Sequence, residues 1–182
     1  MDTTSRVLVA YATAAGSTAE IAEHIAGTLR GAGAEVVCAP VSPELDPAGF
    51  DVLVVGSAVH NMAWLPPALE FLARAAGTGT PTWCFSVGGL AGPNGNRINR
   101  RMASSELARI ARAFPASFAP RDHRMFSGVV DLSGTPLWGR IFYRLTGGGP
   151  GDHRDWADIA RWAGRVAEQL PRRRPSATDI GS

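Results

Sequence analysis

Apolar runs and helical periods alternate along this chain. Arg6–Ala12 (RVLVAYA) is apolar at nearly every position, as in a strand buried on both faces. From Ser17 to Arg30 the apolar residues Ile21, Ala22, Ile25, Ala26 and Leu29 recur at helical spacing, and Gly31 and Gly33 end the run. Ser17 and Glu20 stand at the S-x-x-E spacing of a capping box, which predicts a well-marked helix start. Glu35–Ala39, Asp51–Ser57, Thr82–Val87 and Met125–Leu132 read as four further strands. Between them, helices are predicted over Pro66–Ala76, opening on a proline pair, and within Ile98–Phe114. A last helix runs from about Arg154 to Leu170 with Trp156, Ile159, Ala160, Ala163 and Ala167 as its apolar stripe. Asp152 is placed to cap it and Asp155 to occupy its first turn.

Strands alternating with helices through short loops predict an α/β open parallel sheet covered by helices on both faces. The 182 residues suit one such domain, over 1–170, followed by a polar tail at 171–182 (PRRRPSATDIGS) expected to be disordered. In these sheets ligands bind beyond the carboxyl ends of the strands, where three loops are expected: 13–18, 57–64 and 87–95.

Composition removes several chemistries. All 18 basic residues are Arg, which excludes lysine Schiff bases, a lysine-held pyridoxal cofactor and the P-loop lysine. Cys38 and Cys84 are too far apart for a CxxC pair and too few for a four-thiolate zinc site, so no metal is expected; both read as buried free thiols of a reducing compartment. A net charge of +2 without a basic, aromatic-interleaved stripe argues against nucleic acid as the main partner. No run reaches the length of a membrane span, and the N-terminus lacks a secretory layout. The expected location is cytoplasmic, with peripheral attachment at the inner membrane face left open.

The first loop, Thr13, Ala14, Ala15, Gly16, Ser17 and Thr18, joins a strand to a helix N-terminus. Exposed peptide N–H groups and the positive helix end favour an anion there, and three hydroxyls add neutral donors. The same residues also suit a plain strand–helix turn capped by Ser17. The loop has neither the G-x-G-x-x-G fingerprint nor a Walker motif. The second loop, Ser57, Ala58, Val59, His60, Asn61, Met62, Ala63 and Trp64, follows the central strand and could lie against a flat ring. Trp64 serves equally as a lid on the next helix. The third loop includes Val87, Gly88, Gly89, Leu90 and Gly92, whose glycines let backbone approach a ligand or form an ordinary turn.

Tyr11, Thr13, Gly16, Thr18, Ala22 and Ile25 fall at the spacings of the flavodoxin signature, which Val9–Ile25 resembles. Ala10 and Ala15 depart from it, the latter where a second Thr is common. The resemblance implies a flavodoxin-like five-stranded sheet of order 2-1-3-4-5 with FMN as cofactor. It implies the FMN phosphate in the first loop, the isoalloxazine against the second, with Trp64 or His60 packing on it, and backbone contacts from the third. No aromatic stands in the third loop to stack on the outer ring face. The stretch from Phe126 to Ala163, with Thr146-Gly147-Gly148 and Asp155-Trp156, together with Val54–Leu72, resembles menaquinone-dependent protoporphyrinogen oxidase and its flavodoxin-domain relatives. That implies a porphyrinogen donor and a quinone acceptor.

Electron-carrying flavodoxins are typically strongly acidic, and this chain is not. The reading is an FMN-dependent oxidoreductase with no side chain standing out as a catalytic base. The alternatives are an electron carrier serving a redox protein and a flavin-less interaction domain. Leu137, Trp138, Ile141, Phe142 and Leu145 share one helical face beside Arg140 and Arg144, suiting core packing, an anionic membrane surface or an apolar substrate site. Arg97, Arg100 and Arg101 read as a solvated helix start or as partners for anionic groups.

Overall fold

The computed structural model describes residues 4–88, 97–130 and 151–171, with the side chains of 97–103 and 130 left aside. Among the described residues, eight strands and four helices follow one another: β1 (Arg6–Ala12), α1 (Ser17–Gly31), β2 (Glu35–Pro40), β3 (Val52–His60), β4 (Ala63–Trp64), α2 (Pro66–Ala76), β5 (Thr82–Gly88), α3 (Arg97–Ala111), β6 (His123–Ser127), β7 (Val129–Val130), β8 (Gly151–Asp152) and α4 (Trp156–Glu168). Five strands pair in parallel in the order β2-β1-β3-β5-β6, the order expected from the sequence. β4 folds back antiparallel on β3, and β7 pairs with β8 in a separate two-stranded ribbon.

Burial follows strand position. Val7–Ala10 of β1 and Val52–Val55 of β3 are completely buried, because each strand has a neighbour on both edges and helices on both faces. Edge strand β2 alternates exposed and half-buried positions. Successive residues divide between two cores. Val7, Val9, Val54 and Phe85 meet Ile21, Ile25 and Leu29 of α1 and Ile159, Trp162 and Val166 of α4. Leu8, Ala10, Leu53, Val55 and Cys84 meet Ala68, Phe71 and Leu72 of α2 and Ile110 of α3. The 2-residue period of the strands and the stripes of the helices thus build both layers at once.

Two polar ties fix the outer elements. Asp51 accepts the Arg6 N–H at 2.8 Å, which sets the start of β3 against β1. Buried Asp158 of α4 receives both Arg124 and Arg161, at 2.9 Å each, and the Trp162 indole N–H reaches Asp122 at 2.7 Å.

Element ends differ from the sequence expectation in three places. The fifth parallel strand begins at His123 and stops at Ser127 rather than running from Met125 to Leu132, because Gly128 turns the chain out of the sheet. α4 is capped by Asp155, whose carboxylate accepts the Asp158 N–H at 2.9 Å; Asp152 is instead committed to Arg154. Cys38 is half-buried rather than buried, on the edge strand, while Cys84 is buried as expected. The expectations for Leu137–Leu145 and for the tail beyond Pro171 fall outside the described residues.

Gly56 shows how tightly the central strands pack. It pairs in register with Phe85, and a Cβ built on it would lie 2.0 Å from the Phe85 ring. Gly56→Ala therefore requires the ring to leave its place and should cost about 2 kcal/mol or more in urea unfolding, with Phe85→Leu partly restoring the double variant. An unchanged unfolding midpoint would show that this contact is not tight.

Candidate functional site

The switch point of the sheet lies between β1 and β3, from which the chain departs in opposite directions. At the end of β1 the Thr13 hydroxyl accepts the Gly16 N–H at 3.0 Å, closing a tight turn. Gly16 takes φ +92°, a left-handed conformation that explains glycine here, and it is the N-cap of α1. The expected capping box does not form. Ser17 is the first helical residue, no side chain caps the helix, and the Glu20 carboxylate goes to Arg154 at 2.6 Å. A charge-assisted bond to a guanidinium outcompetes a bond back to the helix start.

This leaves the first-turn N–H groups of α1 without a side-chain acceptor. Thr18 is fully buried, and its hydroxyl has no hydrogen-bond partner among the described residues. An orphaned buried hydroxyl costs about 1–3 kcal/mol, and this one stands beside an uncapped helix start. Thr13, Ala14 and Ala15 are exposed, and Gly16 and Ser17 half-buried.

Gly128, which sequence reasoning passed over, forms the opposing wall. Its N–H donates to Gly88 O at 3.1 Å. A Cβ there would stand 2.9 Å from Val87 Cγ1 and 3.3 Å from Ser17 Oγ, so the ends of β5 and β6 press directly on the start of α1. A glycine within an apolar strand pattern was the available signal.

The second loop is a hairpin rather than a loop. β3 continues to His60, Asn61 and Met62 take φ 51° and 59°, and Ala63–Trp64 return as β4. Left-handed conformations at both turn residues match the twist of a two-residue hairpin. The hairpin is tied down by two serines. Ser57 Oγ accepts Leu65 N–H at 3.0 Å and donates to Ala58 O at 2.8 Å. Trp64 is buried, 3% exposed, in the core under α2 and α3, where its Nε1–H donates to Ser86 Oγ at 2.7 Å. The structure thus places the indole as the lid of the next helix. His60, Asn61, Met62 and Ala63 are exposed, Ala58 and Val59 half-buried, and Arg109 Nη1 approaches Met62 Sδ at 3.6 Å.

Ser86 Oγ also lies 2.9 Å from His123 Nε2. The indole can only donate, so Ser86 Oγ accepts from Trp64 and keeps both a proton and a second lone pair for His123, whose tautomer decides which of the two donates. Burial beside Trp64 and Phe114 lowers the His123 pKa to about 4, with Asp122 opposing the shift. The Cys38 thiol is pushed up to about 12, first by burial and then by Glu23, and stays protonated. Of the third loop, Val87 is buried and Gly88 half-buried; Gly89, Leu90 and Gly92 lie outside the described residues. Arg97, Arg100 and Arg101 fall in the first turns of α3. Among the described residues no helix is long and apolar enough to cross a membrane.

A family model described as a flavodoxin domain matches residues 8–151. Among solved structures, a short-chain flavodoxin associated with a non-canonical PDU bacterial microcompartment aligns at TM-score 0.57 and 17% identity, over 92% of this chain and 99% of that one. Flavodoxin 1 from Bacillus cereus aligns at TM-score 0.54 and 16% identity, over 92% and 100%. A flavodoxin from the domain Archaea aligns at TM-score 0.54 and 14% identity, over 91% and 98%. These likenesses establish the fold. A sequence search of curated proteins found no match.

The neutral, half-buried His123 predicts an acid-sensitive fold. Between about pH 6.5 and about 4 the unfolded chain takes up a proton that the folded chain refuses, so stability falls as pH falls through that window, by up to about 3 kcal/mol. Urea unfolding at pH 7 and pH 4.5 should show this loss, and His123→Gln should flatten it. An identical pH slope in the variant would contradict the assignment.

Proposed function

Because the chain belongs to the flavodoxin-domain family, we propose that it is an FMN-binding electron-transfer protein whose first loop holds the cofactor phosphate. Family membership implies FMN, and the residues present fit it. The observation that carries the reading is the orphaned Thr18 hydroxyl, buried at an uncapped helix start in a loop whose other donors are neutral. A phosphate dianion supplies the missing acceptors, and the positive end of α1 favours its charge. Thr13, Ser17 and Thr18 with their hydroxyls, and the peptide N–H groups of Ala14, Ala15 and the first turn of α1, are the phosphate residues in this reading, while Gly16, whose N–H is held by Thr13, shapes the turn.

Bound FMN supplies one- and two-electron transfer. The chain supplies place and polarity. The exposed hairpin residues His60 and Asn61, with Ala58 and Val59 behind them, lie on one side of the switch point, and Val87 and Gly88 continue it on the next strand. Ser57 and Trp64 support the hairpin from beneath, through Leu65 and Ser86. His123 is held neutral at neutral pH and the Cys38 thiol protonated. Such a site binds and orients a redox ring and leaves the chemistry to it. A porphyrinogen donor with a quinone acceptor is the finer reading; it rests on the sequence resemblance, whose Leu137–Leu145 segment lies outside the described residues.

Absorbance and fluorescence titration of the purified protein with FMN tests the reading. Bound-flavin bands are expected, and Thr18→Val should weaken FMN binding about tenfold while leaving the stability of the free protein equal or slightly higher, since an unpaired buried hydroxyl is removed. A protein that stays colourless with excess FMN would be a flavin-less domain. Equal FMN affinity in Thr18→Val would remove Thr18 from the phosphate site.

A further inference from the structure

We propose that Arg154 is a specificity-determining residue that sets the site's preference for phosphorylated over unphosphorylated flavin, by neutralising the first carboxylate after the phosphate loop. The inference rests on the FMN reading above and adds a residue from outside all three loops. The phosphate loop contains no cation. The first charged residue after it is Glu20, whose own N–H closes the first helical bond to Gly16 O, one turn from the loop. A free carboxylate at that point repels an incoming dianion and competes with it for the positive helix end.

Arg154 takes that carboxylate up. Its Nη1 meets Glu20 Oε2 at 2.6 Å, and its Nε and Nη2 hold Asp152 at 2.8 and 2.6 Å. The Arg154 N–H donates to Asp152 Oδ1 at 3.1 Å as well, and the guanidinium lies 4.5 Å over the Trp156 ring. The Arg154 side chain is only 9% exposed, so solvent and salt screen it less than the surface arginines. The segment that carries it is fixed to the same corner: His153 N–H donates to Gly128 O at 3.3 Å, and a Cβ on Gly128 would stand 3.3 Å from Ser17 Oγ. One cation between two carboxylates leaves this cluster at net −1. The sign of every charge change is therefore predictable.

The test is the ratio of riboflavin to FMN dissociation constants, which isolates the phosphate because the two share ring and ribityl chain. Arg154→Ala should lower that ratio about tenfold, whereas Glu20→Gln and Asp152→Asn, which keep hydrogen-bonding atoms and remove one negative charge, should raise it. A clamp that only supports the fold would weaken both flavins together in all three variants, and an unchanged ratio overturns the proposal. Should Arg154→Ala fail to fold, the two charge-removing variants carry the test with opposite sign. Inorganic phosphate, followed through the amide shifts of Gly16, Ser17 and Thr18, separates the two claims. Phosphate binding that responds to Arg154 without any flavin binding would sink the FMN reading and keep the role of Arg154. Flavin binding with an unmoved ratio would do the reverse, and a protein that binds neither flavin nor phosphate would sink both.

Discussion

The parallel ladders that hold β3 between β1 and β5 are the constraint on which the site depends. Residue by residue, Ala12 sits beside Ser57 and Ser57 beside Ser86, so three strands reach the same edge of the sheet in step. A slip of one residue would turn Val52–Val55 inside out and carry the hairpin away from the phosphate loop. The Gly56–Phe85 contact and the two fully buried faces make such a slip costly. The position of the site is thus a consequence of core packing rather than of the loops themselves.

Against that rigid frame, the start of α1 is left incomplete. No side chain caps it, and Thr18 buries a hydroxyl without a partner among the described residues. The neighbouring polar groups are satisfied: Ser57 and Ser86 each bond twice, and Asp158 receives two arginines. The contrast is informative because a core that completes its hydrogen bonds elsewhere leaves this one open where a ligand's acceptors would enter. In the proposed reading, stability is given up locally for binding, as is common at functional sites. The charged clamp around Arg154 shows the same economy: Glu20 stabilises the helix end, and Arg154 keeps it from opposing an anion.

Much of this was legible in the sequence, for physical reasons. Doubly apolar runs can only be central parallel strands, so β1, β3 and β5 and their order followed from pattern and resemblance. The tight hydroxyl-bearing turn before α1 was legible because a strand feeding a helix start needs little more than small polar residues and a glycine. What escaped depended on long-range pairing. The S-x-x-E spacing suggested a capping box, but Arg154, 134 residues away in sequence, claims Glu20. Trp64 suited a ligand or a helix lid equally in the sequence, and its bond to Ser86 and packing on His123 decide for the lid. The hairpin at Asn61–Met62 carried no glycine to announce its left-handed turn, and Gly128 was read as part of a strand when it is a point of contact between three elements.

The central claim is that the loop after β1 encloses a phosphate dianion with peptide N–H groups and hydroxyls. Phosphorus NMR of FMN added to the protein tests it most directly. The account predicts a resonance distinct from that of free FMN which does not move with pH across the ordinary phosphate pKa of about 6, since the enclosed group stays doubly charged. A resonance that titrates like that of free FMN while the flavin is bound would place the phosphate in solvent and contradict it.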